Sequence, residues 1–280
     1  WIHHFGQGLV ATPDDFGLRG ERPSHRELLD WLAADFMQGG WSLKRFHRRI
    51  VSSTTYRQAS TRRQELDGID PDNRLLGRMP LRRLEAETIR DSLLALSGRL
   101  TQKLYGPPVP VSPDTAGQIV VAVDTRDLAG RPTGKVVPLG AEEFRRTIYL
   151  QVRRSMPLGM LEPFDLPTLN PNCARRANST APLQSLVMLN GPFVIRQAEN
   201  MARRIFREVG AETEAQFQRA WQLAFGHPPS QSQLKGGVKF VNSQLAAAQP
   251  PKNESSDAAQ VALGHLCHAL LSSNRFLYVE

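Results

Sequence analysis

Apolar residues recur at helical spacing through most of the chain and at strand spacing only in a short middle stretch. Leu28, Leu32 and Phe36 repeat every four residues beside Trp31. Pro23, Ser24 and Glu27 give that helix a capping box, and Gly39-Gly40 ends it. Ser42 caps a second helix with Leu43, Phe46 and Ile50 on one side and Lys44, Arg45, Arg48 and Arg49 on the other. The two make a short antiparallel pair, and the polar tail from Ser52 to Ser60 reads as irregular. A third helix is expected from Leu81 to Ser97, stopped by Gly98. It would place Arg83, Glu87 and Asp91 on one face with Arg90 beside them, as an ion-pair ladder.

Between Tyr105 and Pro138 prolines and glycines become frequent. Gln118 to Val123 reads as a strand. Thr147 to Val152 reads as another, with Ile148, Leu150 and Val152 on one face. Arg131 to Gly134 reads as the turn between strands. A long Asn-, Pro- and Arg-rich segment follows, from Phe164 to Pro182. Beyond it the helical period returns. Thr180 is placed to cap a short helix over 182–189, which Asn190-Gly191 breaks, and Pro192 opens a longer one ending at Gly210. Phe217, Ala220, Trp221 and Ala224 mark the next. Ser230 and Gln233 form another capping box, and the last helix runs from about Ala258 to Ser273. The expected fold is mainly α, a multi-helix bundle with a small antiparallel β insertion. It forms a single domain over 1–280, with a helical part at 1–104, the insertion at 105–153, and a loop plus helical bundle at 154–280.

Composition narrows the function classes. The chain has 280 residues, 40% of them hydrophobic, enough for a globular core. The formal net charge is +8, and Arg outnumbers Lys. That suits an anionic partner gripped by guanidinium forks, or simply a solvated basic surface. No Lys/Arg tract and no aromatic-interleaved basic motif occurs, so nucleic acid is not expected. No apolar run reaches the roughly 18 residues of a membrane span. The first residue is Trp, and the chain reads as a piece whose N-terminal part is missing, so the lack of a signal peptide carries no information on compartment. Cys173 and Cys267 permit one disulfide. C-x-x-C-H is absent, so no covalent haem is expected within this chain.

Three constellations carry candidate chemistry. His3, His4, Asp14, Asp15 and His25 supply donors for a metal of unknown identity, although adjacent helical side chains such as His3 and His4 diverge by about 100°. Paired with Glu87 or Asp91, Asp14 or Asp15 would give two carboxylates for glycoside cleavage. The bland alternatives are a turn at Asp14-Asp15 and structural ion pairs at Glu87 and Asp91. Arg153, Arg154, Arg175 and Arg176, with Asn178, Thr180 and Gln184, combine fork donors with amide and hydroxyl groups suited to a sulfated or carboxylated sugar. The alternative is a loop held by its own arginines. His265 and His268 share a helix face, and two ligands do not make a metal site. No nucleophile-elbow motif supports Ser-His-Asp catalysis.

Longer stretches resemble a known family. They include H-H-F-G-Q-G-L-V-A-T-P-D-D-F-G, P-S-H-R-E-L-L-D-W-L-A, and G-W-S-L-K-R-F-H-R-R-I-V-S-S-T-T-Y-R-Q-A-S. R-R-L-E-A-E-T-I-R-D-S-L-L-A-L-S-G-R-L, T-I-Y-L-Q-V-R-R-S, C-A-R-R-A-N-S-T-A-P-L-Q-S-L-V-M-L-N and the end L-C-H-A-L-L-S-S-N-R-F-L-Y-V-E belong with them. Over nearly its whole length the chain resembles the domain of unknown function 1553 family, the C-terminal domain of large secreted planctomycete proteins with a cytochrome-c-like domain upstream. The resemblance implies an exported protein, periplasmic or surface-associated, with haem c in an upstream domain and that domain as a partner. The family often has Pro where Arg26 stands, which bears on the helix start. The resemblance implies no reaction. The reading that results is a module binding an anionic polysaccharide or a partner domain. The alternative is a hydrolase or redox-linked enzyme acting on polysaccharide through the His/Asp site.

Overall fold

The computed structural model describes residues 1–167, 176, 178–247 and 255–279. Cys173, Arg175 and most of the centre of the loop over 164–182 lie outside the described residues. The architecture is mainly helical with short antiparallel strand pairs, as the periodicity implies. The chain divides into two compact units, the first built from Trp1–Arg83 with Tyr278–Glu280, the second from Leu84–Pro171 with Arg176–Leu277. The division falls inside the stretch 1–104 that the sequence presents as one helical part.

The first unit contains α1 (Ile2–Phe5), α2 (Arg26–Gln38), α3 (Leu43–Val51), α4 (Thr54–Arg57) and α5 (Gln64–Asp67). It also holds a two-residue antiparallel pair, β1 (Arg82–Arg83) with β6 (Tyr278–Val279). Ser42 caps α3 by accepting from the Arg45 N–H at 3.3 Å. Two expectations fail here. Helix α2 begins at Arg26 with His25 as its N-cap, because the Ser24 hydroxyl donates to the Leu9 carbonyl (3.2 Å) instead of capping. The tail after Ser52 is not wholly irregular, since Ser53 caps α4 through the Tyr56 N–H. Phe5, Leu9, Leu32 and Ile50 are the apolar residues buried in this unit.

The second unit opens with α6 (Ala86–Leu96), which starts later than the apolar pattern suggests because Arg82 and Arg83 are spent on β1. Ile89, Leu93 and Leu94 are fully buried on it. The insertion has two hairpins: β2 (Val111–Pro113) with β3 (Ile119–Val121), and β4 (Val123–Arg126) with β5 (Pro132–Val137). The single strand expected over 118–123 is therefore broken, at buried Ala122, where the chain passes from one pair to the other. The turn lies at Asp127–Gly130, not Arg131–Gly134. Asp127 Oδ1 accepts from the Ala129 and Arg131 N–H groups, and Gly130 takes φ 75°. Pro132 can then begin β5, a position where its missing donor is tolerated.

The helical bundle follows with α7 (Pro182–Asn190), α8 (Pro192–Val209), α9 (Thr213–Phe225), α10 (Gln231–Ala247), α11 (Ser255–Leu271) and α12 (Asn274–Leu277). Helix α8 is the spine. Val194, Ala198, Met201, Ala202 and Ile205 form one buried stripe at 3.6-residue spacing, packed mainly on α11. The capping box of α10 is present: Ser230 N–H donates to Gln233 Oε1 (2.7 Å), and Gln233 N–H donates to Ser230 Oγ (3.3 Å). Helix α7 begins with Ala181 as N-cap and no side-chain cap, so Thr180 does not serve that role. Gly237 of α10 lets the Phe217 ring of α9 approach so closely that a Cβ would lie 1.8 Å from its Cε2. Cys267 is a free, fully buried thiol on α11, and burial pushes its pKa up to about 12. Among the described residues no helix is long and apolar enough to cross a membrane.

Candidate functional site

Each unit has its own cluster of chemistry-bearing side chains. In the first, α1 carries His3 and His4, and the helix ends at Gly6 in the left-handed region, with the Arg82 side chain against it. His3 is exposed, and its carbonyl accepts from Arg82 Nη1. His4 turns the other way, and its Nε2 meets His47 Nδ1 of α3 at 2.9 Å. Tyr56 of α4 sets its ring edge-on to both His4 and Phe5, with centroids 5.8 Å apart. Burial lowers the His4 pKa, and the positive charges of the chain's N-terminus, His47, His3 and Arg82 lower it further.

The remaining N-terminal candidates stand apart from this pair. Asp15 Oδ1 accepts from the Gly17 N–H at 2.8 Å, closing a local turn. Asp14 is exposed. His25 Nδ1 bonds Ser24 Oγ at 2.9 Å. Among the described residues, no three or more His, Cys, Asp or Glu side chains gather closely enough to hold a metal ion. The histidine that His4 does meet was missed in the sequence. Its one signal was position: His47 follows Leu43 by four and precedes Ile50 by three, so it flanks the apolar stripe of α3.

In the second unit, Arg90 of α6 and Arg145 are both fully buried. Arg90 donates to the Arg145 carbonyl (2.9 Å), the Glu143 carbonyl (2.6 Å) and Thr147 Oγ1 (3.2 Å). Its closest carboxylate approach is Asp91 at 3.8 Å. Burial brings its pKa down to about 10, against the pull of Asp91 and Glu143. Arg145 donates to the carbonyls of Pro107 and Tyr105 and to Glu142, and lies over the Tyr149 ring at 4.1 Å. Arg90 fastens the irregular segment after the hairpins to α6, and Arg145 ties that segment to Tyr105 and Pro107 ahead of the hairpins.

Glu87 and Asp91 are fully occupied by partners. Asp91 Oδ1 accepts from the Thr147 N–H (2.7 Å) and hydroxyl (2.6 Å). That is why 147–149 turns as a 3-10 helix rather than extending as the strand expected there. Leu150 is buried while Ile148 and Val152 face outward, so the proposed common face is absent. Arg176 forks onto Glu87 at 2.6 and 3.0 Å, with Glu85 at 3.4 Å. Burial would raise the Glu87 carboxyl, yet the Arg176 fork and a backbone N–H outweigh it and hold the pKa below the usual range. The ladder along α6 therefore does not form, because its carboxylates reach outward to other segments. A glycosidase acid needs its carboxyl raised, the opposite of Glu87.

Of the arginine constellation, Arg176 is engaged by Glu87, and Arg175 lies outside the described residues. Arg153 is exposed and bonds Gln151 Oε1 at 3.1 Å. Arg154 is exposed, as is Thr180. Gln184 is buried, and its amide donates to the Pro163 and Ser179 carbonyls at 2.9 and 3.1 Å. Asp165 accepts from the N–H and hydroxyl of Ser179 (both 2.8 Å), which anchors the same stretch. His268 reaches the Met188 carbonyl (2.9 Å) and His265 reaches Gln244 (2.8 Å), so they do not converge on a common point.

These features define a mainly helical module in which Arg90, Asp91, Arg145 and the Arg176–Glu87 pair hold irregular segments of the second unit. A family model described as a protein of unknown function (DUF1553) matches residues 1–241. The chain belongs to that family. No curated protein matches it, and no solved structure does.

Proposed function

We propose that the chain is a non-catalytic docking module whose first unit binds a protein partner. One observation carries this reading: the first unit leaves more large apolar side chains exposed than it buries. On α2 and α3 and the turn between them, Trp31 (51% exposed), Met37, Trp41 (65%) and Leu43 lie open to solvent. Arg49 stands over the Trp31 ring at 5.3 Å. Exposed Trp and Met interleaved with Arg have the composition of interface hot spots. Among the described residues, Asp35 is the acid partner of the α3 basic side, shared by Arg45 and Arg49 at 3.6 and 3.2 Å beside Lys44 and Arg48. The partner face is therefore acidic around an apolar centre. An upstream domain of the same polypeptide, haem-bearing and exported as the resemblance implies, is the partner we place there.

Anionic polysaccharide is the weaker reading. A glycan would leave Met37 and Leu43 without an apolar counterpart, and Arg176 is already neutralised by Glu87. The hydrolase alternative has less support still, because Glu87 and Asp91 are locked by fixed donors. Hydroxyl-radical footprinting tests the proposal by oxidising exposed Trp and Met. In native extract we expect Trp31, Met37 and Trp41 to be protected at least several-fold relative to the purified chain. Equal oxidation in both would overturn it. Salt-sensitive retention on a sulfated glycan that is lost with Arg153→Ala and Arg154→Ala would favour polysaccharide instead.

A further inference from the structure

We propose that a cleft between the C-terminal ends of α6 and α8 binds a small organic carboxylate. The cleft lies wholly within the second unit, so the reading is independent of the docking face on the first. Its volume is about 590 Å³, within the range of small-molecule sites. Ala95 and Leu100 supply an apolar wall, and Gln102, Arg204, Arg207 and Glu208 a polar one. Gly98 turns the chain after α6 at φ 72°, and a Cβ there would lie 3.4 Å from Arg204 Cδ, so the arginine stem packs directly against the turn.

The two guanidiniums of the cleft keep donors in hand. Arg204, whose side chain is 24% exposed, donates from Nη1 to the Ala95 and Leu96 carbonyls at 3.1 and 3.0 Å. Its Nε donates to Glu208 Oε1 at 2.7 Å, and its Nη2 has no acceptor among the described residues. Arg207 is exposed, and only its Nε is engaged among the described residues, with the Arg203 carbonyl at 3.4 Å. Residues three apart on a helix are neighbours, so the free donors of both can meet one ligand. Glu208 does not cancel them. Its second oxygen accepts from Arg219 Nε of α9 at 2.6 Å, so three arginines surround one carboxylate. Burial would raise the Glu208 pKa, yet the Arg204 and Arg219 bonds outweigh it and keep the group ionised. Glu208 is thus a positioning residue for Arg204. A planar fork matches the two oxygens of a carboxylate, and the Ala95–Leu100 wall takes a short carbon chain. Both helices present their C-terminal ends, the end opposite to the one that favours phosphate.

The test is titration of the whole chain with butyrate at fixed ionic strength, followed by two-dimensional amide NMR. Saturable shifts are expected around Gln102 and Arg207, with none from butyramide, which has the same shape and no charge. Arg207→Gln, at an exposed position, should weaken butyrate roughly tenfold, the loss of one charged fork. Arg203→Gln lies on the same helix outside the cleft and should leave affinity within about twofold. The dispersion of the same spectra shows that each variant keeps its fold. The proposal is overturned if butyrate gives no saturable shift or if butyramide matches it. It is equally overturned if Arg203→Gln weakens binding as much as Arg207→Gln, which would make it a general surface-charge effect. Displacement of butyrate by inorganic phosphate at lower concentration would overturn the carboxylate assignment.

Discussion

The two units solve the problem of a stable interior in different ways. The second has an apolar stripe along α8, buried leucines on α6 and α11, and buried polar side chains such as Arg90, Thr147 and Gln184 bonded to its own segments. The first has Phe5, Leu9, Leu32 and Ile50 buried, with edge-to-face aromatic contacts among Phe36, Trp41 and Phe46 around them. Burial stabilises by about 25 cal/mol per Å² of apolar surface, so the first unit draws far less from it per residue. The lesson is that its exposed aromatic and aliphatic side chains read as an unfinished core, which the proposed partner would complete.

The comparison breaks most sharply at Arg90. Arg90→Ala would leave two buried carbonyls and Thr147 without their donor, and would open a cavity. We expect a loss of about 3–5 kcal/mol in urea unfolding followed at Trp221, the second unit's tryptophan. Alkylation of Cys267 gives an independent readout. Its thiol is inert while buried, so labelling should accelerate with the destabilisation. Gly237→Ala forces a methyl group into the Phe217 ring and should cost about 1–3 kcal/mol by the same measurement.

Glu87→Gln should be next, at about 1–2 kcal/mol, since it removes a charge from a half-buried bidentate pair. The pH dependence follows from the lowered pKa of Glu87. Its contribution is complete above the ordinary Glu value of 4.5 and is lost as pH falls through the lower folded value. Wild type should therefore lose stability on acidification below about pH 4.5, and Glu87→Gln should lose less, as urea midpoints between pH 3 and 6 would show. In the first unit, the lowered His4 pKa works in the same direction at higher pH. Stability is full above 6.5 and falls as pH drops through the folded value, because the unfolded chain takes the proton first. Proton NMR of the His4 ring should show it titrating below the ordinary histidine value of 6.5. The smallest effect is expected at Trp31→Ser, within about 0.5 kcal/mol of wild type in unfolding. A large loss there would mean the face belongs to the unit's own core, not to a partner.

The longer helices, the break at Asn190-Gly191, the stop at Gly210 and the Ser230–Gln233 box were legible in the letters, because each is decided by neighbours three or four residues away. The family was legible too, through long contiguous motifs. The strand expected at 147–152 was not, because alternation there was overridden by Asp91, 56 residues upstream, accepting both donors of Thr147. The start of α6 was displaced by the pairing of Arg82 with Val279, far downstream in the chain.

The candidate sites divide in the same way. The sequence alone determined that His4, Glu87 and Arg176 are present and what each can donate or accept. It also determined the basic, acid-free face of α3. Only the tertiary structure decided that His4 meets His47 and not Asp15, that Glu87 meets Arg176 and not Arg83, and that Gln184 is turned inward. Local periodicity fixes which face of a helix a side chain occupies. The partner across the gap depends on how the chain closes over long loops, and no short window of residues carries that information.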